Sequence, residues 1–264
     1  MQYFMGIDIG GGGVRCLLVD AETASCVSAT RSWSFIPEAH PTGLAFGIDL
    51  GLTWQLIGEA AREAVAAAGV APDQIASVAV SAVRCGTAII DKQGRPIFVV
   101  PNRDARAVME SAELAAECGD ELNRETGIWP TALHLPARFR MLQRTMPEVL
   151  EAADCVFSLG DWVNFRLCGV RATDFSQAGV TQLFSLAARE WNVARIEWLG
   201  VSPSIFPQVL ASGSALGKLS EQAAAHLGLS TATVVGLGGG DSQCSLLGGC
   251  TILSGEIGCA TPMW

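Results

Sequence analysis

Short apolar runs alternate with polar turns along the first part of the chain. The runs YFMGIDIG, VRCLLVD and SCVSATRSW are separated by glycines and by a few polar residues. Alternation of this kind predicts β-strands, and the short connections between the runs predict that consecutive strands form a meander.

Apolar positions three or four residues apart then predict an amphipathic helix over residues 50–68. Asp49 is suited to cap its first turn, and Gly69 and Pro72 are suited to end it. Three further runs, IASVAVSAV, GTAIIDKQG and PIFVV, predict strands after this helix.

Helical patterns dominate the rest of the chain. The predicted helices span residues 104–118, 136–146, 159–168 and 218–227, and DCVF and TVVGL are predicted as short strands between them. Strands followed by alternating helices and strands predict an α/β architecture.

Composition narrows the class of protein. The chain has 264 residues, of which 50% are hydrophobic and 16% charged, so it can bury a core and form one large or two unequal domains. There is no long uninterrupted apolar run and no basic N-terminal segment, so we expect a cytoplasmic protein without a membrane span.

Charge and cysteine usage exclude further classes. A net charge of −9 argues against a nucleic acid or an anionic membrane as a partner, because both attract clustered Lys and Arg. Nine cysteines without a CxxC pair, and only three histidines, support neither a disulfide framework nor a zinc site.

Two glycine-rich segments, each with an aspartate, are candidates for chemistry. In GIDIGGGGVR, Asp8 precedes consecutive glycines whose N–H groups can approach an anion, although a tight hairpin turn explains the same letters. In GLGGGDSQCSLLGG, Asp241 follows a strand and is either a helix N-cap or a carboxylate held at the carboxyl end of a strand. Together the two segments predict a phosphate-handling cleft.

Four stretches resemble the FGGY family of carbohydrate kinases, of the actin, hexokinase and heat-shock-chaperone ATPase superfamily. They are MGIDIGGGGVRCLLVD, PNRDARA, SLGDWVNFRLCGVRATDFSQAGVTQLFSLAAREW and VVGLGGGDSQCSLLGG. The resemblance implies an α/β, RNase-H-like fold with a mixed five-stranded-type sheet flanked by helices. It also implies a substrate-binding and catalytic-base domain over residues 1–245, followed at 246–264 by the truncated start of a nucleotide-binding domain.

The resemblance implies ATP-dependent phosphorylation of a hydroxyl group on a small sugar or polyol. Asp241 would be the general base, and Asp8 would help to hold Mg²⁺. The implied substrate contacts are Arg84, Cys85, Asp104 and Asp241. The implied contacts to the ATP phosphates are Gly10, Gly11, Gly12, Gly13, Arg15, Gly258 and Thr261.

The sequence departs from the family pattern at two places. Gly11 and Gly12 stand where the family usually has hydroxyl residues, which removes two phosphate donors and loosens the loop. Cys85 stands where glycerol-kinase-like members have an acidic residue and xylulokinase-like members a histidine. The segments SAVRCGTAIID, NRDARA and GDWVNFRLCG are most similar to the autoinducer-2 kinase branch, and next to the xylulokinase-like and glycerol-kinase-like members.

Other functions stay open at this level. A non-catalytic carbohydrate-binding or regulatory module of the same fold and an actin-like polymerising ATPase are the alternatives, and a homodimer is an open oligomeric state. His134 and the tryptophans at 54, 129, 162 and 191 are candidates for a sugar pocket, but core positions explain them as well. Phosphoryl transfer depends on positioning across a closed cleft, so we expect these 264 residues alone to be inactive.

Overall fold

The computed structural model describes residues 2–248, which form helices and strands in alternating layers. The strands are β1 (Tyr3–Ile9), β2 (Gly13–Asp20), β3 (Cys26–Ser32), β4 (Ile36–Pro37), β5 (Phe46–Gly47), β6 (Ile75–Ala82), β7 (Thr87–Asp91), β8 (Pro96–Val100), β9 (Ala153–Phe157), β10 (Ala172–Asp174), β11 (Phe184–Ser185), β12 (Glu190–Trp191), β13 (Gln208–Leu210), β14 (Ala215–Lys218) and β15 (Val234–Gly240). The helices are α1 (Leu50–Ala68), α2 (Val108–Thr126), α3 (Leu135–Thr145), α4 (Pro147–Ala152), α5 (Leu159–Cys168), α6 (Phe175–Gly179), α7 (Val193–Trp198), α8 (Glu221–Leu227) and α9 (Asp241–Gly248).

The largest sheet has six strands in the order β14-β15-β6-β1-β2-β3. Strands β1, β6 and β15 are parallel neighbours, whereas β2 runs antiparallel to both β1 and β3. This confirms the N-terminal meander and the mixed sheet. The five strands from β15 to β3 are those of the implied fold, and β14 adds a sixth at the edge, antiparallel to β15.

One face of this sheet is covered by helices α1, α5 and α8. Alternate residues of β1, namely Met5, Ile7 and Ile9, are buried against them, and the intervening Asp8 is exposed. The predicted helix over residues 50–68 is confirmed, with the Asp49 carboxylate accepting from Leu52 N at its start.

A smaller sheet, β8-β7-β9, carries a second hydrophobic core with helices α2 and α3. The predicted bounds 104–118 are wrong for α2, which begins at Val108 and ends at Thr126. The segment before Val108 is a turn because Asp104 is buried and bonded to Phe46 and Arg106. At the other end, α2 continues past a non-helical Cys118, with a φ of −148°, to the left-handed Gly127.

Two other sequence expectations concern the domain boundary and the absence of a membrane span. The expected domain boundary between residues 245 and 246 lies inside α9, and it stays a prediction because most of the second segment lies outside the described residues. Among residues 2–248, no helix is both long and apolar enough to cross a membrane.

The pairing of β15 with β6 gives a testable prediction about Gly238. A Cβ atom on Gly238 would overlap the carbonyl oxygen of Val80, where the register of the two strands shifts. We therefore expect Gly238→Ala to lower the free energy of unfolding by about 1–3 kcal/mol, as overpacking does elsewhere. Urea denaturation followed by circular dichroism measures this change.

Gly6→Ala is the matched control, since Gly6 lies on β1 of the same sheet and a Cβ atom on it would have no neighbour within 4 Å. Its effect should stay within about 0.5 kcal/mol. Equal changes in the free energy of unfolding for the two variants would show that the close approach to Val80 does not restrict the side chain at position 238.

Candidate functional site

Three sequence-predicted residues meet at the carboxyl ends of the parallel strands. Asp8 is the penultimate residue of β1, Arg84 follows β6, and Asp241 follows β15. These strands are adjacent in the sheet, so residues far apart in sequence come to one edge. Ligands in open α/β sheets bind at this edge.

Arg84 and Asp241 form the centre of the site. Arg84 Nε lies 3.7 Å from Asp241 Oδ1, and both side chains are about 40% exposed, at 42% and 38%. A solvent-exposed pair at this distance contributes little to stability. Breaking this ion pair therefore costs little free energy, so Arg84 or Asp241 can bind a substrate group in place of its partner.

Asp241 is the first residue of α9. The N-cap alternative predicted that it would instead be the residue just before the helix. Its carboxylate accepts a hydrogen bond of 2.7 Å from the backbone N–H of Ser242. Three glycines precede it because each approaches a neighbour closely. A Cβ on Gly239 would lie 3.0 Å from Asp174 Oδ2, and one on Gly240 would lie 3.2 Å from Cγ of Arg84.

Asp8 points to the same region from β1. It stands opposite Arg15 on β2 and Ser81 on β6 in the strand registers. Surrounding atoms remove part of the hydration of its carboxylate, which raises its pKa even though the side chain reaches solvent. The Ser81 hydrogen bond and the Arg15 charge lower that pKa, and the Asp241 charge raises it.

The glycines after Asp8 form the turn between β1 and β2. Gly10 N–H donates to Gly13 O at 2.8 Å, which is the geometry that the hairpin alternative requires. Gly11 and Gly12 are exposed, and among the hydrogen bonds of residues 2–248 their N–H groups have no acceptor. The turn therefore satisfies the hairpin interpretation and still leaves two donors for an anion.

Cys85 lies in a strained turn beside Arg84. Its φ is +63°, a left-handed value that a non-glycine residue adopts only when its surroundings enforce it. The fully buried Arg138 supplies this constraint by donating to Cys85 O, to Thr87 Oγ1 at 2.7 Å and to Pro101 O at 3.2 Å. Burial raises the pKa of the Cys85 thiol, so it stays protonated and is a poor nucleophile.

Asp104 takes a different position from the other implied substrate contacts. Its side chain is fully buried, and Oδ2 accepts from Phe46 N at 2.8 Å and from Arg106 Nε at 2.7 Å. These bonds hold the loop after β8 against β5. Contact with a sugar would require this loop to move, so substrate binding by Asp104 stays a prediction.

A small cavity of about 30 Å³ lies next to the Cys85 turn, with room for about two water-sized groups. Polar lining groups include Thr87, His134, Asp161 and Gln177, and Oε1 of Gln177 is buried without a hydrogen-bond partner. Burial, reinforced by the Arg138 charge, lowers the pKa of His134 to about 4, so this imidazole is neutral at physiological pH.

Asp161 contributes a carboxyl group to the cavity lining. It belongs to the capping box of α5, in which its Oδ2 accepts from Ser158 N at 3.4 Å and its own N–H donates to Ser158 Oγ at 3.1 Å; Ser158 Oγ also donates to Oδ2 at 2.8 Å. Burial raises its pKa to about 7, while hydrogen bonds from Ser158 and Thr173 lower it and the charge of Asp174 raises it.

The sequence missed Arg138, which supports the turn that carries Cys85. Arg138 gave no signal in the sequence, because a helical arginine is normally exposed.

The four candidate tryptophans occupy different environments. Trp54 and Trp162 are core residues as expected, Trp129 is exposed, and Trp191 lines the cavity. The implied nucleotide contacts Gly258 and Thr261 lie outside the described residues.

Comparison with known proteins identifies relatives along almost the whole chain. Residues 3–248 match the N-terminal domain of the FGGY family of carbohydrate kinases. An autoinducer-2 kinase of Escherichia coli O139:H28 is 33% identical over 250 residues, and one of Salmonella paratyphi B is 32% identical over 251. The matches cover 93% and 94% of this chain but 47% of each relative, so the chain spans about half the length of these proteins.

Solved structures share the fold at lower sequence identity. The xylulose kinase of Lactobacillus acidophilus superposes with a TM-score of 0.86 at 17% identity, covering 94% of this chain and 50% of that one. The Plasmodium falciparum glycerol kinase with ADP superposes with a TM-score of 0.81 at 17% identity, with the same two coverages. At this identity the likeness establishes the fold.

The buried Asp161 gives a prediction with a definite sign. Because its folded pKa, about 7, exceeds the ordinary value of 3.8, the folded state binds this proton more tightly than the unfolded state. Its contribution to stability is therefore fully present below pH 4 and is lost as the pH rises towards 7, by about 1.4 kcal/mol per pH unit at the steepest. The neutral isostere Asp161→Asn should lose this slope when unfolding is measured in urea between pH 4.5 and 7.5.

Asp91→Asn is the control. Partial desolvation raises the pKa of Asp91, but bonds from Arg95 and Gln93 outweigh it, so the net shift is downward and the titration lies below this pH window. That variant should keep the wild-type slope. The same slope in the Asp161→Asn variant would show that Asp161 is ionised throughout the range.

Proposed function

The chain belongs to the FGGY family of carbohydrate kinases, and we propose that it supplies the sugar-binding and proton-accepting part of an ATP-dependent kinase. The observation that carries this proposal is the Arg84–Asp241 pair, 3.7 Å apart at the carboxyl ends of adjacent parallel strands. A carboxylate with a neighbouring guanidinium suits a hydroxyl substrate, because one accepts its proton and the other orients its oxygen atoms.

Asp241 acts as the general base. Its carboxylate takes the proton of a substrate hydroxyl while the hydroxyl oxygen forms a bond to the γ-phosphorus of ATP. The bond between that phosphorus and the bridging oxygen breaks, and ADP leaves with the electron pair. The exposed, loosely paired Asp241 carboxylate can reach a hydroxyl without first breaking a strong ion pair.

Arg84 and the Cys85 turn bind and orient the sugar. Guanidinium N–H groups are fixed donors to hydroxyl or carbonyl oxygens, and Arg138 holds the turn so that Arg84 keeps its direction. Cys85 presents a small neutral thiol where an acidic or imidazole group would add a polar contact. This favours a substrate with a less polar group at that position.

The phosphates of ATP are assigned to the turn after β1. The exposed N–H groups of Gly11 and Gly12 are the available donors, and Arg15 adds a positive charge beside Asp8.

Magnesium fits the donors of this site only as a largely hydrated ion. Among residues 2–248, no three His, Cys, Asp or Glu side chains cluster as a metal cage. Asp8 supplies one carboxylate, and Asp241 adds negative charge nearby. Such an ion, when bound, neutralises phosphate charge and keeps several waters, as Mg²⁺ does in other phosphate sites.

The substrate class is small and polyhydroxylated. The relatives at 33% identity are named autoinducer-2 kinases, and fold neighbours are named xylulose, gluconate and glycerol kinases. Among these classes we favour the autoinducer-2 type, because those relatives share the highest sequence identity with this chain.

A substrate screen tests the proposed function in the full-length protein. ATP consumption should rise with autoinducer-2 more than with pentuloses or polyols. Asp241→Asn should lower kcat by about 10²- to 10⁴-fold, the usual contribution of a general base, with little change in thermal stability because the side chain is partly exposed. A kcat close to the parent value in the Asp241→Asn variant would exclude Asp241 as the base.

The 264-residue chain alone gives a complementary prediction. Charge stabilisation of phosphoryl transfer requires groups on both sides of a closed cleft, so we expect no measurable turnover from this chain. A coupled assay for ADP, with the full-length protein as positive control, measures it. ATP-dependent phosphorylation by the chain alone would show that residues 1–264 contain a complete site.

A further inference from the structure

Helix α6 touches the ends of two neighbouring strands just before their functional residues. On one side, Nε2 of Gln177 donates to the carbonyl oxygen of Ala82 at 3.2 Å, two residues before Arg84. On the other side, Oγ of Ser176 accepts from the backbone N–H of Gly240 at 2.7 Å, directly before Asp241. The same five-residue helix therefore fixes both backbone segments that carry the pair.

The direction of the Ser176 hydroxyl is set by Asp174. Oδ2 of Asp174 accepts from Ser176 Oγ at 2.7 Å and from Ser176 N at 2.9 Å, and the Asp174 side chain is buried. A carboxylate only accepts, so the single hydroxyl proton of Ser176 points to Asp174. A lone pair of Ser176 is then left for Gly240, which joins Asp174, Ser176 and Gly240 in a directed chain of hydrogen bonds.

The space around this chain leaves little freedom. A Cβ on Gly239 would lie 2.9 Å from Ser176 Oγ, so the glycine backbone passes directly beside the hydroxyl. Ser212 also donates to Asp174 Oδ2, at 2.9 Å, and its loop is bonded to β15 through Gly213 N and Leu237 O at 2.7 Å. The Asp174 carboxylate thus accepts hydrogen bonds from α6 and from the loop before β14, and each of these segments is also bonded to β15.

We propose that Ser176 and Gln177 are positioning residues for the reaction: they set the separation and direction of Arg84 and Asp241 by holding the backbone before each. This inference rests on the proposed role of Asp241 as the base. In this role they act through the backbone and not by contact with the substrate. Their effect passes through Gly240 and Ala82, and a shift of about 1 Å at a reacting group is enough to lower turnover strongly.

Hydrogen exchange in the 264-residue chain tests the inference without any turnover. Ser176→Ala removes the acceptor of the Gly240 N–H, so exchange of that amide should accelerate about 5- to 10-fold, in line with one lost hydrogen bond. Amides of β1, such as Ile7, should keep their rates. NMR measures both in one sample.

Ser212→Ala is the matched control, because it removes a bond to the same Asp174 oxygen and leaves the bond to Gly240 intact. The Ser212→Ala variant should exchange its Gly240 amide at the parent rate. Ser176→Thr keeps the hydroxyl, so its Gly240 amide should also exchange at the parent rate. Equal Gly240 exchange in the Ser176→Ala and Ser212→Ala variants would overturn the inference.

In the full-length protein, Ser176→Ala should lower kcat at least 10-fold while KM for the sugar changes less than 3-fold. Unchanged kcat, combined with faster Gly240 exchange, would refute positioning and leave only a structural bond. Failure of the base assignment is recognised separately, because it is read from the Asp241→Asn variant.

Discussion

The close approach of β15 to β6 is the constraint on which the site depends. Gly238 passes so near to Val80 O that a Cβ has no room, and the register of the strands shifts at this point. Just after this segment, Asp241 begins α9 with its Oδ1 3.7 Å from Arg84 Nε. Side chains in the glycine run would push the strands apart and separate the pair.

Buried polar groups connect this edge of the main sheet to the second layer of the molecule. Arg138, on a helix of the second core, donates to the turn that carries Cys85 and to the loop after β8. Burial lowers its pKa to about 10, so it keeps its charge at neutral pH and holds its acceptors firmly. The site is therefore supported by both cores, and movement between the layers would change its geometry.

Much of the architecture was predictable because its signals are local. The strands of the N-terminal meander, the helix capped by Asp49 and the strand before Asp241 follow from apolar spacing and capping residues within a few positions. The start of α2 was not predictable, because the burial of Asp104 against β5 determines it. Short helices such as α6 give too few turns for a periodic signal.

The sequence by itself determined the family, the identity of the candidate groups and the presence of glycine turns beside Asp8 and Asp241. Only the tertiary structure decided that Asp104 is buried and that Arg84 faces Asp241. It also decided that Ser176 accepts a hydrogen bond from Gly240, the residue before Asp241. The physical reason is that residue type fixes what a group can donate or accept. Its partner depends on which distant strands the core brings together, and this requires the packing of the whole chain.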